Sequence, residues 1–127
     1  MIQLDRKIYN RASLKLSQEI EHEQELAMIG HPLGLPQKVT DNAKITKIEE
    51  NKPHFQANLD AFHGNSGSPV FNPKTGEVMG MLTSGGRDFQ FNKINMCHEL
   101  YVHKENGAIE RVHKPPECRH SLFINIT

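Results

Sequence analysis

Short stretches of alternating apolar and polar residues run along most of the chain, and turn-forming residues separate them. The apolar stretch LAMIGH ends at residues 31–36 (HPLGLP), where two prolines and a glycine predict a turn. Val39, Ile45 and Ile48 predict one or two strands, and alternation over residues 54–59 predicts another. VFN and EVMGMLT flank a PKTG turn, which is typical of a hairpin, and residues 100–103 predict a further strand. The pattern indicates a small all-β barrel or sandwich.

The first 24 residues differ from the rest of the chain. Residues 1–8 (MIQLDRKI) alternate well enough to predict a strand. Residues 9–24 are polar and Glu-rich, which predicts a connecting segment. Because the ends of an isolated domain usually lie outside its core, a strand that starts at Met1 is unexpected, and we expect chain upstream of it.

Length and charge exclude several classes of function. The 127 residues suffice for one small domain. Lys+Arg and Asp+Glu balance at 15 each, so no net charge favours nucleic acid or an anionic membrane as a partner. No apolar run approaches the roughly 18–20 residues of a membrane span. Eight histidines can make the net charge change near neutral pH.

The segment NLDAFHGNSGSPVFN carries the clearest candidate chemistry. It places Ser66 in Gly64-Asn65-Ser66-Gly67, directly before a predicted strand. A serine nucleophile needs exposure, a base, and donors for the oxyanion. Gly64 can adopt backbone angles that let its N–H and that of Ser66 converge, and Gly67 leaves room for substrate. By themselves, these four residues favour an ordinary turn over a nucleophile site.

Three segments in order resemble a known family. GNSGSPVFN resembles the nucleophile segment of chymotrypsin-like, two-barrel serine endopeptidases, in particular the bacterial branch that includes glutamyl endopeptidases. MIGHPLGLPQKV is similar to the strand and Gly-His-Pro turn of those bacterial members, and EVMGMLTSGG resembles the segment that lines their substrate cleft. The resemblance implies the C-terminal antiparallel Greek-key barrel of that fold, with serine-type peptide-bond hydrolysis as its activity.

The same resemblance assigns the catalytic residues. Ser66 matches the nucleophile, and Gly64 and Ser66 match the oxyanion-hole donors. Asn65 stands where animal digestive members carry an aspartate, which pairs with a newly cleaved amino terminus. Asn65 cannot form that ion pair, so the animal type of zymogen activation is not expected here.

Substrate-binding residues and partners follow from the resemblance as well. Thr83, Ser84 and Gly85 match the strand that pairs with an extended peptide or protein substrate. Asp60 matches the base of the specificity pocket, where a carboxylate would favour Arg or Lys. A turn aspartate can equally bind local backbone N–H groups. No cofactor or metal is expected.

The histidine and aspartate of the family's triad lie upstream of the nucleophile, in the first barrel. Residues 1–8 resemble the last strand of that barrel, residues 9–24 the connection, and residues 25–127 the second barrel. Because a complete enzyme needs roughly 200–250 residues, we expect a truncated chain whose first barrel is its main structural partner. His63 and His31 are not expected to replace the base. Residues 1–127 alone are therefore predicted to be nearly inactive.

Two alternatives remain: a half-protease that binds peptides without cutting them, and the remnant of a decayed gene. A secreted or periplasmic location would follow if the true amino terminus lies upstream. Cys97 and Cys118 are the two cysteines and predict one disulfide, with free thiols as an alternative. Zinc is less favoured, because Cys97 and His98 are adjacent and no Cys-x-x-Cys motif exists.

Overall fold

A computed structural model describes residues 4–102 and 110–114. This part of the chain contains eight β-strands and one short 3₁₀ helix, η1. The strands are β1 (Glu25–Gly30), β2 (Lys38–Ile48), β3 (His54–Ala57), β4 (Pro69–Phe71), β5 (Val78–Ser84), β6 (Phe89–Asn92), β7 (Cys97–Leu100) and β8 (Glu110–His113), and η1 spans Pro32–Gly34. No helix among the described residues has the length and apolar character needed to cross a membrane.

Six of the strands form a closed antiparallel barrel in the order β1-β2-β3-β8-β5-β4. The chain passes from β3 to β4 across the barrel, and β8 later inserts between β3 and β5, which is a Greek-key connection. The remaining two strands, β6 and β7, form a separate hairpin. The all-β barrel expected from the sequence is therefore confirmed, and a barrel rather than a sandwich is present.

Alternating residues of the barrel strands fill its interior. In β1 the burial alternates along the strand, as period-two side-chain placement requires. The largest apolar side chains that are fully buried come from all six barrel strands: Phe55, Leu26, Met28, Ile45, Met79, Val70 and Val112. Burying a side chain of this size contributes about 1.5–3 kcal/mol, so this single core supplies the main stabilisation of the barrel.

Several strand boundaries differ from the sequence prediction. Val39, Ile45 and Ile48 lie on one continuous strand, which bends where Asn42 takes a positive φ of 57° beside a register shift. The predicted hairpin is present as β4 and β5, with Gly76 at φ 73° in its turn. The strand expected at 100–103 ends at Leu100 instead, and β6 and β8 were not predicted.

Residues 4–24 contain no helix and no named strand. Residues 4–8 are exposed and form no strand, so the strand predicted for residues 1–8 is not seen in its described part. Further along, Ser17 N–H donates to the Val78 carbonyl at 2.9 Å and Val78 N–H to the Lys15 carbonyl at 2.8 Å. Ile20 packs against the barrel core. The assignment of these residues to a first barrel and a connection stays a prediction.

Candidate active site

The serine lies in a loop that joins β3 to β4, and we call residues 62–68 the nucleophile loop. Two turns shape it: Asn65 N–H donates to the Phe62 carbonyl at 3.1 Å, and Ser68 N–H to the Asn65 carbonyl at 2.9 Å. Gly67 N–H donates to the Leu82 carbonyl at 2.8 Å, which connects the loop to β5. Ser66 itself is exposed between these fixed points.

The two glycines of the loop have positive φ angles, as the sequence chemistry requires. Gly64 has φ 96° and Gly67 has φ 89°, values that other residues rarely adopt. Within residues 4–102 and 110–114, the N–H groups of Gly64 and Ser66 donate to no protein acceptor. Two unpaired amides beside an exposed hydroxyl are what an oxyanion site needs.

Asn65, directly before Ser66, is the buried residue of the nucleophile loop. Its side chain is 1% exposed, and its Oδ1 has no hydrogen-bond partner among the described residues. Gly30, the last residue of β1, leaves room for it: a Cβ there would lie 2.3 Å from Asn65 Oδ1 and 2.5 Å from Ser68 Oγ. The Gly-His-Pro turn singled out in the sequence therefore begins with a glycine that the nucleophile loop requires.

The segment Thr83–Gly85 lies beside the loop as an exposed edge. Leu82 N–H donates to the Ser68 carbonyl at 3.0 Å, but no described residue continues this pairing at Gly85. On its other side the strand is held by β8, since Ser84 pairs with Arg111 and Thr83 Oγ1 donates to the Arg111 carbonyl at 3.0 Å. One edge is therefore available for strand addition.

Residues 1–81 match the model of a known protein family. The sequence model of the Trypsin-like peptidase domain matches residues 1–81, which include the nucleophile loop. The chain belongs to the trypsin-like peptidase domain family. A search of curated proteins found no match.

One solved structure shows the same fold at low sequence identity. It is a crystal structure of Rv3671c from M. tuberculosis H37Rv, an alanine-for-serine mutant in its inactive form. The TM-score is 0.55 at 14% identity, over 82% of this chain and 49% of that chain. This chain thus spans about half the length of that protein, and at such identity the match supports the fold alone.

Within this trypsin-like barrel, Asp60 is exposed and follows the buried Leu59. Its backbone carbonyl accepts a hydrogen bond from Thr40 Oγ1 at 3.3 Å, while no described N–H group binds its carboxylate. A second carboxylate, that of Glu110, is 6% exposed, and its Oε1 lies 3.7 Å from the position of a Cβ on Gly85. The sequence analysis did not identify Glu110, because a single glutamate in a polar stretch carries no motif.

Among the described residues, no histidine ring nitrogen is hydrogen-bonded to Ser66. His31 Nδ1 contacts the Leu35 carbonyl at 3.2 Å within the η1 turn. The Nδ1 of His63 contacts the Asp88 carboxylate, and the His63 N–H donates to the same oxygen, Asp88 Oδ2, at 2.8 Å. Asp88 was also missed in the sequence, since it lies in a glycine-rich loop and reaches His63 only through the fold.

Charged groups elsewhere on the barrel are mostly exposed. At the turn between β2 and β3, hydrogen bonds from Lys52 and Lys47 lower the pKa of Glu49 from 4.5 to about 2. Lys47 Nζ lies 3.1 Å from Glu49 Oε1. Two ammonium groups on one carboxylate favour its charged form, and they lie outside the nucleophile loop.

Cys97 is exposed and bonds to no described cysteine, and Cys118 lies outside the described residues, so the disulfide between them stays a prediction. No group of three or more His, Cys, Asp or Glu side chains in the described part of the chain is arranged to hold a metal ion. His103, Cys118 and His120, which follow Cys97 and His98 in the sequence, lie outside that part, as does the side chain of His113.

Proposed function

We propose that residues 1–127 provide the nucleophile-bearing barrel of a serine endopeptidase whose histidine and aspartate lie on a first barrel outside this sequence. The observation that carries the proposal is the exposed Ser66 between two glycines of positive φ, next to the unpaired N–H groups of Gly64 and Ser66. This arrangement offers both a nucleophile and donors for the oxyanion.

The reaction follows from that arrangement. Ser66 Oγ attacks the peptide carbonyl carbon while a histidine of the other barrel accepts its proton. The N–H groups of Gly64 and Ser66 stabilise the tetrahedral oxyanion. The peptide bond then breaks, the amine leaves with the proton, and water hydrolyses the ester on Ser66.

The substrate is proposed to be an extended peptide or protein segment. The exposed edge at Thr83–Gly85 supports strand addition, because on the side that faces the nucleophile loop its backbone groups lack a neighbouring strand among the described residues. A preference for Arg or Lys through the exposed Asp60 is part of the proposal.

Covalent labelling tests the nucleophile. We expect a fluorophosphonate probe to label the native-length protein at Ser66, and Ser66→Ala to abolish labelling. An unlabelled native-length protein would contradict the proposal. Residues 1–127 alone should react at least about 10³-fold more slowly, because the general base is absent. Equal rates would place the base within residues 1–127.

The genomic sequence upstream of the Met1 codon provides a second test. An open frame that encodes strands, a histidine and then an aspartate would support the two-barrel enzyme. A stop codon in that frame would favour the second candidate, a barrel that binds peptides through the Thr83–Gly85 edge without cutting them. That candidate predicts peptide affinity unchanged by Ser66→Ala, with no turnover.

A further inference from the structure

The His63–Gly64 peptide unit is the element on which the oxyanion site depends; one hydrogen bond holds this unit directly, and another holds the Phe62–His63 unit that precedes it. Its carbonyl, on His63, accepts a hydrogen bond from Leu33 N–H at 2.6 Å. Since the two bonds of a trans peptide point in opposite directions, the N–H of Gly64 is directed away from η1. This direction leaves that N–H available for a substrate oxygen.

Glycine alone does not fix this orientation. Residue 64, which has φ 96°, must be a glycine, because a Cβ at this position would lie 2.9 Å from the His31 carbonyl oxygen and 3.0 Å from Leu33 N. The same freedom lets a glycine-containing peptide rotate, so the neighbouring residues must hold it in place. On the upstream side, the partner of the His63 N–H is the carboxylate of Asp88.

The Asp88 carboxylate is placed to hold the backbone N–H of His63. Its side chain is 7% exposed, and a buried carboxylate needs hydrogen-bond donors. Oδ2 accepts from the His63 N–H at 2.8 Å and from the Nδ1–H of the same residue. The Asp88 carbonyl in turn accepts from Tyr101 N–H at 2.8 Å, at the end of β7.

A second contact runs parallel to this one. The rings of Phe62 and Phe89, the neighbours of His63 and Asp88, lie 6.3 Å apart in a tilted arrangement. The nucleophile loop and the start of β6 are therefore joined by one apolar and one polar contact. The apolar contact can preserve the loop's position when the polar one is removed, so the two effects can be separated by substitution.

We propose that Asp88 is a positioning residue, whose carboxylate holds the backbone of His63 and thereby keeps the Gly64 N–H directed at the oxyanion. This deepens the endopeptidase proposal and rests on it for the role in catalysis. Asp88 touches neither the substrate nor Ser66. Its effect passes from the Phe62–His63 peptide unit, through the backbone torsions of His63, to the His63–Gly64 unit.

The Asp88 carboxylate accepts hydrogen bonds from both the backbone N–H and the imidazole Nδ1–H of His63, and three substitutions separate these two bonds. Asp88→Ala removes both, and we expect the fluorophosphonate labelling rate of Ser66 in the native-length protein to fall about 10- to 100-fold, less than for complete loss of a donor because Leu33 still holds the carbonyl. Asp88→Asn keeps an acceptor for the His63 N–H and should stay within about threefold of wild type. His63→Ala keeps the backbone N–H and should also stay within about threefold. Exposed Asp41→Ala is the matched control and should leave the rate unchanged.

Amide hydrogen exchange, followed by NMR, tests the contact without any labelling. The amide of residue 63 should be protected in wild type, Asp88→Asn and His63→Ala, and unprotected in Asp88→Ala. If Asp88→Ala does not fold, Asp88→Leu takes its place, because leucine is similar in size to aspartate and offers no acceptor to the His63 N–H. An unprotected His63 amide in wild type, or equal labelling rates of Asp88→Ala and wild type, would overturn the proposal. A wild-type protein that is protected there but unlabelled would refute the endopeptidase and retain the contact.

Discussion

Replacing Gly30 with alanine would place a methyl group where two polar side chains of the nucleophile loop already lie. The added Cβ would be 2.3 Å from Asn65 Oδ1 and 2.5 Å from Ser68 Oγ, against 3.4 Å for an ordinary contact. Both oxygens must therefore move by about 1 Å in a closely packed interior. Asn65 is buried and cannot turn towards solvent, so the loop itself must shift.

The cost of such overpacking is about 1–3 kcal/mol. We expect Gly30→Ala to lower the free energy of unfolding by that amount in urea denaturation. The shift of Asn65 also displaces its neighbour Ser66, so labelling of Ser66 by a fluorophosphonate in the native-length protein should fall at least about tenfold, since small misplacements at a reacting centre reduce rates strongly.

A matched glycine separates stability from the site. Gly76 has φ 73° in the β4–β5 turn, and a Cβ there would meet nothing within 4 Å. Gly76→Ala should cost about 1–2 kcal/mol through its backbone angle alone and leave the labelling rate unchanged. The reasoning is refuted if Gly30→Ala unfolds and reacts as wild type does, or if Gly76→Ala slows labelling equally.

Three further predictions concern the rest of the barrel. Phe55→Ala should lower the free energy of unfolding by about 3–5 kcal/mol, because the ring is 1% exposed, whereas Phe91→Ala at 49% exposure should change it little; equal losses in urea denaturation would contradict this. Glu49 has a lowered pKa of about 2, so its stabilising effect is complete above pH 4.5 and is lost as the pH falls towards 2. Glu49→Gln should therefore reduce the difference in melting temperature between pH 5 and pH 2, and an unchanged difference would count against the contact with Lys52. If Cys97 and Cys118 form the disulfide expected from the sequence, the exposed Cys97 should react with a thiol reagent in the folded protein only after reduction, and equal reaction before reduction would instead support free thiols.

Local signals predicted the barrel strands where alternation and turns coincide. β1, β3 and the β4–β5 hairpin were recognisable because buried and exposed residues alternate and because PKTG or HPLGLP separates them. β8 was not recognisable: ERVH is short and polar, and only its pairing with β3 and β5 makes it a strand. Pairing between distant segments leaves little trace in a single sequence.

The candidate site likewise combines residues that a local motif predicts with residues that only the fold brings together. Ser66 and Gly64 were predicted because the flanking glycines carry a recognisable chemical requirement. Asp88 could not be predicted, since its contact with His63 joins residues 25 positions apart through the fold of the β6 end. The role of Gly30 was hidden for the same reason, because its neighbours Asn65 and Ser68 are distant in sequence.

The position of β8 in the barrel has a consequence for how the chain folds. β8 pairs with β3, as in Phe55 with Val112, and with β5, as in Leu82 with Val112. Until residues 110–113 leave the ribosome, both of these strands present an unpaired edge. Such long-range pairings fold slowly, because much of the chain must be ordered before the last contact forms. During synthesis the nascent chain is therefore exposed to association with other strands, and chaperones that shield the edges of β3 and β5 should raise its yield.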